Sequence, residues 1–480
     1  MRPRASPRWN LPLPPIARNP LLEGPIFGSL LKLALPIIVA NLLQSTYQLI
    51  DAFWVGRLGG DAVAAVSISL PINFLAFALG SGFSVAGSTL IAQYVGARNR
   101  AMTDHVAGQV LLLAFGFSLL LTALGQWAAP RMLTLLSVEP GVYDDALAFL
   151  RITLGGLVFT FGFAMFQALM RGAGEVRIPL YIVLGTVVLN ALIDPPLIFG
   201  WGPIPAFGVA GAAFATLLTQ GLALGIGLWL LARGKLGIVL RLRALRPDWA
   251  FIARAFRLGF PSSVELSARA LGMNAMVLMV AAFGTVTIAA YGVVNSLLAL
   301  VIIPALGLSM ATSALVGQNI GAGQIERARS IARLSSVIAF IGLSLVGVAA
   351  FLAAPSLVAV FVPDDPEVIA TGARFLRTVA FTFGLIGLQM SLSGVFRAAG
   401  QTVVTMNLAL VSQWVIQLPL AWFLSREAAF GVDGLWWAFP LTNLLMAAIT
   451  MLWYARLDWQ RVSLLPSSHP ADQGARSPRR

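Results

Sequence analysis

Cysteine is absent from the chain and histidine occurs only twice, at His105 and His469. Disulfides, thiolate nucleophiles and cysteine-bound metals are therefore excluded. Neither an HExxH nor a GxSxG pattern occurs, so a hydrolase or acyltransferase has no nucleophile with a base or metal to work with. Charge is also scarce. Only 11% of the 480 residues are charged, against about 25% in a soluble domain. The 19 acids and 32 bases are too few to cover a soluble protein of this size. The Pro- and Arg-rich start has no signal-peptide core with a cleavage site, so the first long apolar run reads as a helix that stays.

What replaces charge is apolar length. The chain is 58% hydrophobic with a mean hydropathy of +0.85. Apolar runs long enough for a hydrocarbon core of about 30 Å recur along it. They lie near 33–57, 62–92, 106–128, 146–170, 178–200, 208–232, 255–283, 287–318, 331–354, 371–396, 403–424 and 432–455. The runs are continuous and not alternating, which selects helices over a barrel. The expected fold class is an all-α polytopic membrane protein of twelve transmembrane helices. Residues 1–25 and 458–480, rich in Pro, Ser, Arg and Asp, are expected to be disordered.

The net charge of +13 raises the question of a nucleic-acid partner, and its placement answers it. With a cytoplasmic N-terminus, 25 of the 32 basic residues fall in inner segments. That is the positive-inside pattern. It predicts both termini in the cytoplasm, a multi-pass protein of a bacterial inner (plasma) membrane, and no nucleic-acid partner.

The chain is also duplicated. At a shift of 225 residues Pro36 meets Pro261, Gly59 meets Gly284, Gly82 meets Gly307, Gln93 meets Gln318, and Gly96-Ala97 meets Gly321-Ala322. At 226, Arg171 and Gly174 meet Arg397 and Gly400. Composition bias scatters Ala and Gly matches but does not hold Pro, Gln and Arg in register. Two parallel six-helix repeats follow, an N-lobe over 26–232 and a C-lobe over 255–457. A basic cytoplasmic linker, 233–254, joins them. Parallel repeats are a transporter architecture, with a cavity between halves that rock about it.

Ionisable residues within apolar helices are costly and mark function. Asp51, Asp194 and Glu265 are the three acids of this kind. In the first run Asn41, Gln44, Tyr47, Gln48 and Asp51 share one arc of about 120° at 100° per residue. Asn190 and Asp194 are spaced i,i+4 on one face of the fifth run. Asp51 lies about 28 Å beyond Lys32 and Asp194 about 26 Å beyond Arg177 along their helices, so both reach a similar depth in the outer half. An interfacial Asp51 paired with Arg57, or Asp194 as a cap before Pro195-Pro196, are the plain alternatives. Glu265 has Arg269 one turn on, and an intrahelical ion pair is the expectation there. The repeat puts Met276, Ile416 and Leu420 opposite Asp51, Asn190 and Asp194. The C-lobe keeps other polar groups, Asn274, Asn295, Gln389, Gln413 and Gln417. The cluster therefore reads as a specialised ion site in one lobe.

Leu33-Ala34-Leu35-Pro36 leading to Asp51 and Val55-Gly56-Arg57-Leu58-Gly59-Gly60 resembles helix 1 of the multidrug and toxic compound extrusion (MATE) transporters. Gln93-Tyr94-Val95-Gly96-Ala97, Arg171-Gly172-Ala173-Gly174 with Asn190 and Asp194-Pro195, and Gln318-Asn319-Ile320-Gly321-Ala322-Gly323 are similar to further motifs of that family. The pattern is nearest the DNA-damage-inducible (DinF-like) branch. The resemblance implies a monomeric secondary antiporter that exports cationic or amphiphilic drugs in exchange for H⁺ or Na⁺, with no other cofactor. By position it implies Asp51, Asp194 and Asn190 as the coupling site for a proton or Na⁺. Tyr47, Gln44, Gln48, Gln167 and Thr216 would line the cavity with Asn274, Gln389, Gln413 and Gln417, and helix 1 would bend at Pro36. A lipid-linked oligosaccharide flippase of the same superfamily is the alternative. It should line its cavity with several basic residues, whereas here only Arg269 is clearly mid-helix.

Overall fold

The computed structural model describes residues 20–234, 236–426, 431–456 and 464. Twelve spans cross the described bundle, ten as single helices and two as bent pairs. They are α1 (Ile26–Gly56), α2 (Gly60–Gly96), α3 (Arg100–Leu135), α4 (Pro140–Gly155 and Leu157–Ala173), α5 (Arg177–Phe199) and α6 (Val209–Arg233). The second half repeats them as α7 (Trp249–Ala281), α8 (Thr285–Gly321), α9 (Ile325–Leu352), α10 (Pro366–Ala380 and Phe383–Ala398), α11 (Thr402–Leu424) and α12 (Val432–Arg456). Every apolar run read from the sequence is one of these spans.

The halves repeat down to their irregularities. Span α4 bends by 43° and α10 by 52°, at Gly156 and at Phe381-Thr382, one repeat apart. Gly174 and Gly400 follow these spans with φ of +88° and +75°, a left-handed stop that only glycine takes without strain. Pro36 and Pro261 sit inside α1 and α7, and both helices run on past them. Exposed Leu, Phe, Val and Trp side chains, among them Leu49, Phe74, Leu278, Leu345 and Trp422, ring the bundle. On a water-soluble protein such a belt would drive association; here it is the lipid face.

The lobes meet by exchange. α2 packs on α7, and α8 packs reciprocally on α1. Small residues allow the approach: a Cβ on Gly82 would strike the Ser263 backbone, and one on Gly307 would strike Ile38, the residue equivalent to Ser263. Further along, a Cβ on Gly96 would fall on the Gln318 carbonyl and one on Gly321 on that of Gln93. The two glutamines then bond across the seam. Gln318 Nε2 donates to the Gly172 carbonyl and Gln93 Nε2 to the Ala398 carbonyl, each at 2.8 Å.

This seam lies at one end of the bundle only, the end where α2, α4 and α8 finish and where Arg98, Arg100, Arg177, Arg327 and Arg329 cluster. We term it the basic end. Leu30, Leu33, Ala34 and Ile37 of α1 are buried there with Ala311, Leu315, Val316 and Ile320 of α8. Two turns on, the same face of α1 carries Gln44 and Gln48, both exposed. The exposed apolar stripe of α1 (Leu35, Leu42, Leu49, Phe53) lies roughly 180° away at 100° per residue. One stripe faces lipid and the other a gap, so the lobes part toward the far end.

Two expectations need correction. Residues 20–25 are not disordered: Pro20–Glu23 forms a helical turn, with Leu21 and Leu22 only 8% and 4% exposed. Their apolar burial at the seam outweighs the polar composition around them. The rest of the expected disordered ends, save Leu464, lies outside the described residues. The linker is shorter than 233–254, because α7 begins at Trp249 with Asp248 as its cap, accepting from the Phe251 N–H at 3.1 Å. The linker is also held in place. Gln109 of α3 donates to the Ala244 and Arg246 carbonyls at 2.7 and 2.8 Å, and Asp104 accepts from the Val239 N–H at 2.8 Å.

Replacing Gly96 or Gly321 by valine should overpack the seam by about 1–3 kcal/mol. Thermal unfolding in nanodiscs is expected to shift to lower temperature for both, with Gly116→Val, whose Cβ meets nothing within 4 Å, close to the parent.

Candidate functional site

Three N-lobe helices build the polar cluster. α1 supplies Tyr47 and Asp51, α5 supplies Asn190 and Asp194, and α6 supplies Thr216 and Thr219. α5 does not end at Pro195-Pro196 but continues to Phe199, so Asp194 is a helix-interior residue and not a cap. Asn190 and Asp194 are fully buried, and the Asn190 amide donates to Asp194 Oδ1 at 2.9 Å. The Thr216 hydroxyl donates to Asp51 Oδ2 at 3.3 Å. Thr219 spends its own proton on the Ala215 carbonyl at 2.9 Å. The 2.9 Å contact between Tyr47 and Thr219 is thus a phenol donating to a hydroxyl. Tyr47 is thereby pinned beside the acids.

The carboxyl groups of Asp51 and Asp194 lie close enough in this cluster to interact electrostatically. Three buried oxygens in this cluster, Asp51 Oδ1, Asp194 Oδ2 and Asn190 Oδ1, have no hydrogen-bond partner. The basic residue nearest in sequence is engaged elsewhere: the Arg57 guanidinium stacks on Phe53 and Trp54, 4.6 and 5.3 Å from the ring centroids. Among the described residues the acids form no ion pair with Arg57 or any other base. Two ionised carboxylates at this separation in a low-dielectric site repel strongly unless a proton or small cation joins them. The unpaired oxygens are the acceptors such an ion requires.

Other predicted residues are dispersed. Gln44 and Gln48 face the gap on α1, as described, and Gln167 is half-buried on α4. In the C-lobe Asn274 is exposed and turns its amide to the Ala270 carbonyl at 3.1 Å. Gln413 and Gln417 lie in a π-helical segment, Val411–Gln417, while Gln389 is half-buried on α10. Gln413 packs against Gly272, where a Cβ would collide with it. Trp414 donates to the Ala268 carbonyl at 3.1 Å. The regular stretch of α5 bearing Asn190 is the N-lobe counterpart of this segment, so the lobes differ in backbone as well as in side chains.

Glu265 has the expected ion pair with Arg269, at 3.5 Å, but a closer partner at 2.7 Å is Arg397 on α10. The glutamate side chain is 2% exposed. The N-lobe equivalents are Ala40 and Arg171, so only the C-lobe carries this pair. Sequence reasoning missed Arg397 as a partner and Thr219 as the Tyr47 acceptor. Thr219 stands one turn beyond Thr216, a spacing that was available as a clue.

Two blocks of the chain, residues 36–195 and 261–423, match the MatE family model. The chain belongs to the MatE family. Those blocks begin at Pro36 and Pro261, the repeat already seen. The MatE chain is 29% identical to the probable multidrug resistance protein YpnP of Bacillus subtilis (strain 168), over 92% of itself and 98% of that protein. It is 30% identical to the probable multidrug resistance protein NorM of Rhizobium meliloti (strain 1021), over 92% and 96% of the two. Its fold superposes on an outward-facing multidrug resistance MATE family transporter of the MOP superfamily with a TM-score of 0.84, 24% identity, and 92% and 98% coverage. The protein is thus a multi-pass membrane transporter and not an enzyme.

Glu265→Gln leaves Arg397 without its counter-charge. Removing one partner of a buried pair costs about 3 kcal/mol, so thermal unfolding should fall clearly below the parent. Arg269→Gln, whose partner keeps Arg397, should have the smaller effect.

Proposed function

We propose that this transporter exports cationic or amphiphilic compounds in exchange for H⁺ or Na⁺, with the coupling ion held at Asp51, Asn190 and Asp194. The observation that carries this reading is the set of three unpaired buried oxygens in one lobe, whose acids form no ion pair with a base among the described residues. Hard oxygen donors suit a proton or an alkali cation equally. The positive-inside pattern supports a basic end in the cytoplasm of a bacterial inner membrane. The gap at the far end is then the outward-facing state of a monomer of the DinF-like branch.

In this state an ion enters from outside and neutralises the acid pair, and the site releases bound cationic drug outward. Neutralisation lowers the cost of moving the site through the low-dielectric middle of the bundle. Rocking about the seam opens the basic end, where the ion leaves and drug reloads. Each net charge moving inward down 100 mV supplies about 2.3 kcal/mol, enough for a gradient of roughly fiftyfold at RT of about 0.59 kcal/mol; one-for-one exchange with a monovalent cationic drug moves no net charge and draws on the ion's concentration gradient alone. Tyr47, Gln44, Gln48, Gln167 and Thr216 would meet the drug on the N-lobe side, Asn274, Gln389, Gln413 and Gln417 on the other, and Pro36 would let α1 bend. The flippase alternative is less favoured because Arg269, half-exposed on α7, is already joined to Glu265.

The test is drug efflux in inverted vesicles, driven separately by a pH gradient and by a Na⁺ gradient. Asp51→Asn and Asp194→Asn should each cut gradient-driven efflux at least tenfold under whichever ion drives the parent. Efflux at the parent rate in both variants would overturn the site.

A further inference from the structure

Leu21, before the first span, and Leu464, beyond the last, both lie at the basic end, in matching places. Gly174 and Gly400 are equivalent glycines, each closing the fourth span of its lobe in the left-handed conformation. Leu21 occupies the notch over Gly174, where a Cβ would fall on its side chain. Leu464 occupies the notch over Gly400, where a Cβ would lie 2.8 Å from its Cδ2. Each leucine also reaches the opposite lobe. The Leu464 N–H donates to Gln93 Oε1 of α2 at 2.8 Å, the same glutamine whose amide holds the Ala398 carbonyl. The Leu21 carbonyl accepts from Asn319 of α8 at 3.5 Å, next to Gln318. The segment after Leu21 repeats the bridging, with Glu23 paired to Arg98 at 3.5 Å and the Gly24 carbonyl accepting from Arg327.

Duplication alone does not produce this arrangement. The residue one repeat after Leu21 is Arg246, and its carbonyl is held by Gln109 on α3. The linker is therefore committed to the N-lobe surface, and the C-lobe notch is filled instead by a leucine from beyond the last span.

We infer that Leu21 and Leu464 are matched latches: each, seated in the equivalent notch of a different lobe, holds the basic end shut. This rests on the two-lobe alternating reading above and adds to it the element that must leave before that end opens. Each latch joins N-lobe to C-lobe, so separation of the lobes at this end breaks both. A polar residue at either position would lose the apolar seat and release that side.

The natural absence of cysteine makes the test direct. Thr89 is 1% exposed and its hydroxyl donates to the Arg397 carbonyl across the seam at 3.0 Å, so Thr89→Cys reports opening there. The full chain carrying Thr89→Cys is placed in nanodiscs and labelled with a charged maleimide, alone and with Leu21→Asp, Leu464→Asp or Leu464→Met. Labelling at least fivefold faster in both Asp variants, with the Met variant at the parent rate, is expected. Parent-rate labelling in both Asp variants would overturn the latches, and acceleration by Leu21→Asp alone would overturn their pairing. Labelling needs no transported substrate. Absence of gradient-driven efflux in the parent chain with this labelling pattern intact would count against the transport reading and not against the latches.

Discussion

The crossing of α2 and α8 is the constraint on which the rest of this molecule depends. Two helices from different lobes approach until each glycine, Gly96 and Gly321, lies against the backbone of the other's glutamine. Without a hydrophobic drive between helices in lipid, such contacts rely on close van der Waals approach and on hydrogen bonds across the gap. Gln93 and Gln318 supply those bonds, each worth about 1 kcal/mol. The seam is therefore firm enough to hold one end closed and weak enough to part. A larger apolar interface would join the halves permanently, and the gap at the far end would then serve nothing.

Much of this was legible from residue order alone. Twelve apolar runs became twelve spans, because lipid leaves the backbone no alternative to helix. The repeat was legible because glycines and glutamines recur in register, and several of those pairs prove to be points of backbone contact at the seam or helix stops. The acid cluster was legible in outline, since Asp51, Asn190 and Asp194 are conspicuous in apolar surroundings and helical spacing sets their depth. What escaped notice depends on partners far apart in sequence. Arg397 reaches Glu265 across 132 residues, and Thr219 reaches Tyr47 across 172. No local period encodes such meetings. Leu21 and Leu464 escaped for a different reason: each opens a short Leu-Leu pair beside a polar stretch, and its seat exists only once both lobes have folded.

The two lobes share a scaffold and divide the chemistry. The N-lobe carries Asp51 and Asp194 with no basic partner, leaving oxygens free. The C-lobe carries Glu265 clasped by Arg397 and Arg269, with its charge already compensated. A buried carboxylate with two arginines is held in place and has little left to offer a mobile ion, whereas one beside a second carboxylate is in want of one. The exchanges of Ala40 for Glu265, and of Asp51, Asn190 and Asp194 for Met276, Ile416 and Leu420, separate these roles on one fold.

This division matters for a rocking mechanism. If both lobes held uncompensated acids, each would bind its own ion and the two would compete for the drug's positive charge. On the proposed reading, with the free acids confined to one lobe, the drug and the ion would meet at a single site and exclude one another there by charge. The C-lobe offers only neutral amides at Gln389, Gln413 and Gln417, and so no second counter-ion. The π-helical segment on α11 fits the same division. Its N-lobe counterpart must keep regular i,i+4 spacing so that Asn190 can hold Asp194, while α11, relieved of that duty, is free to unwind around Gln413 and Trp414.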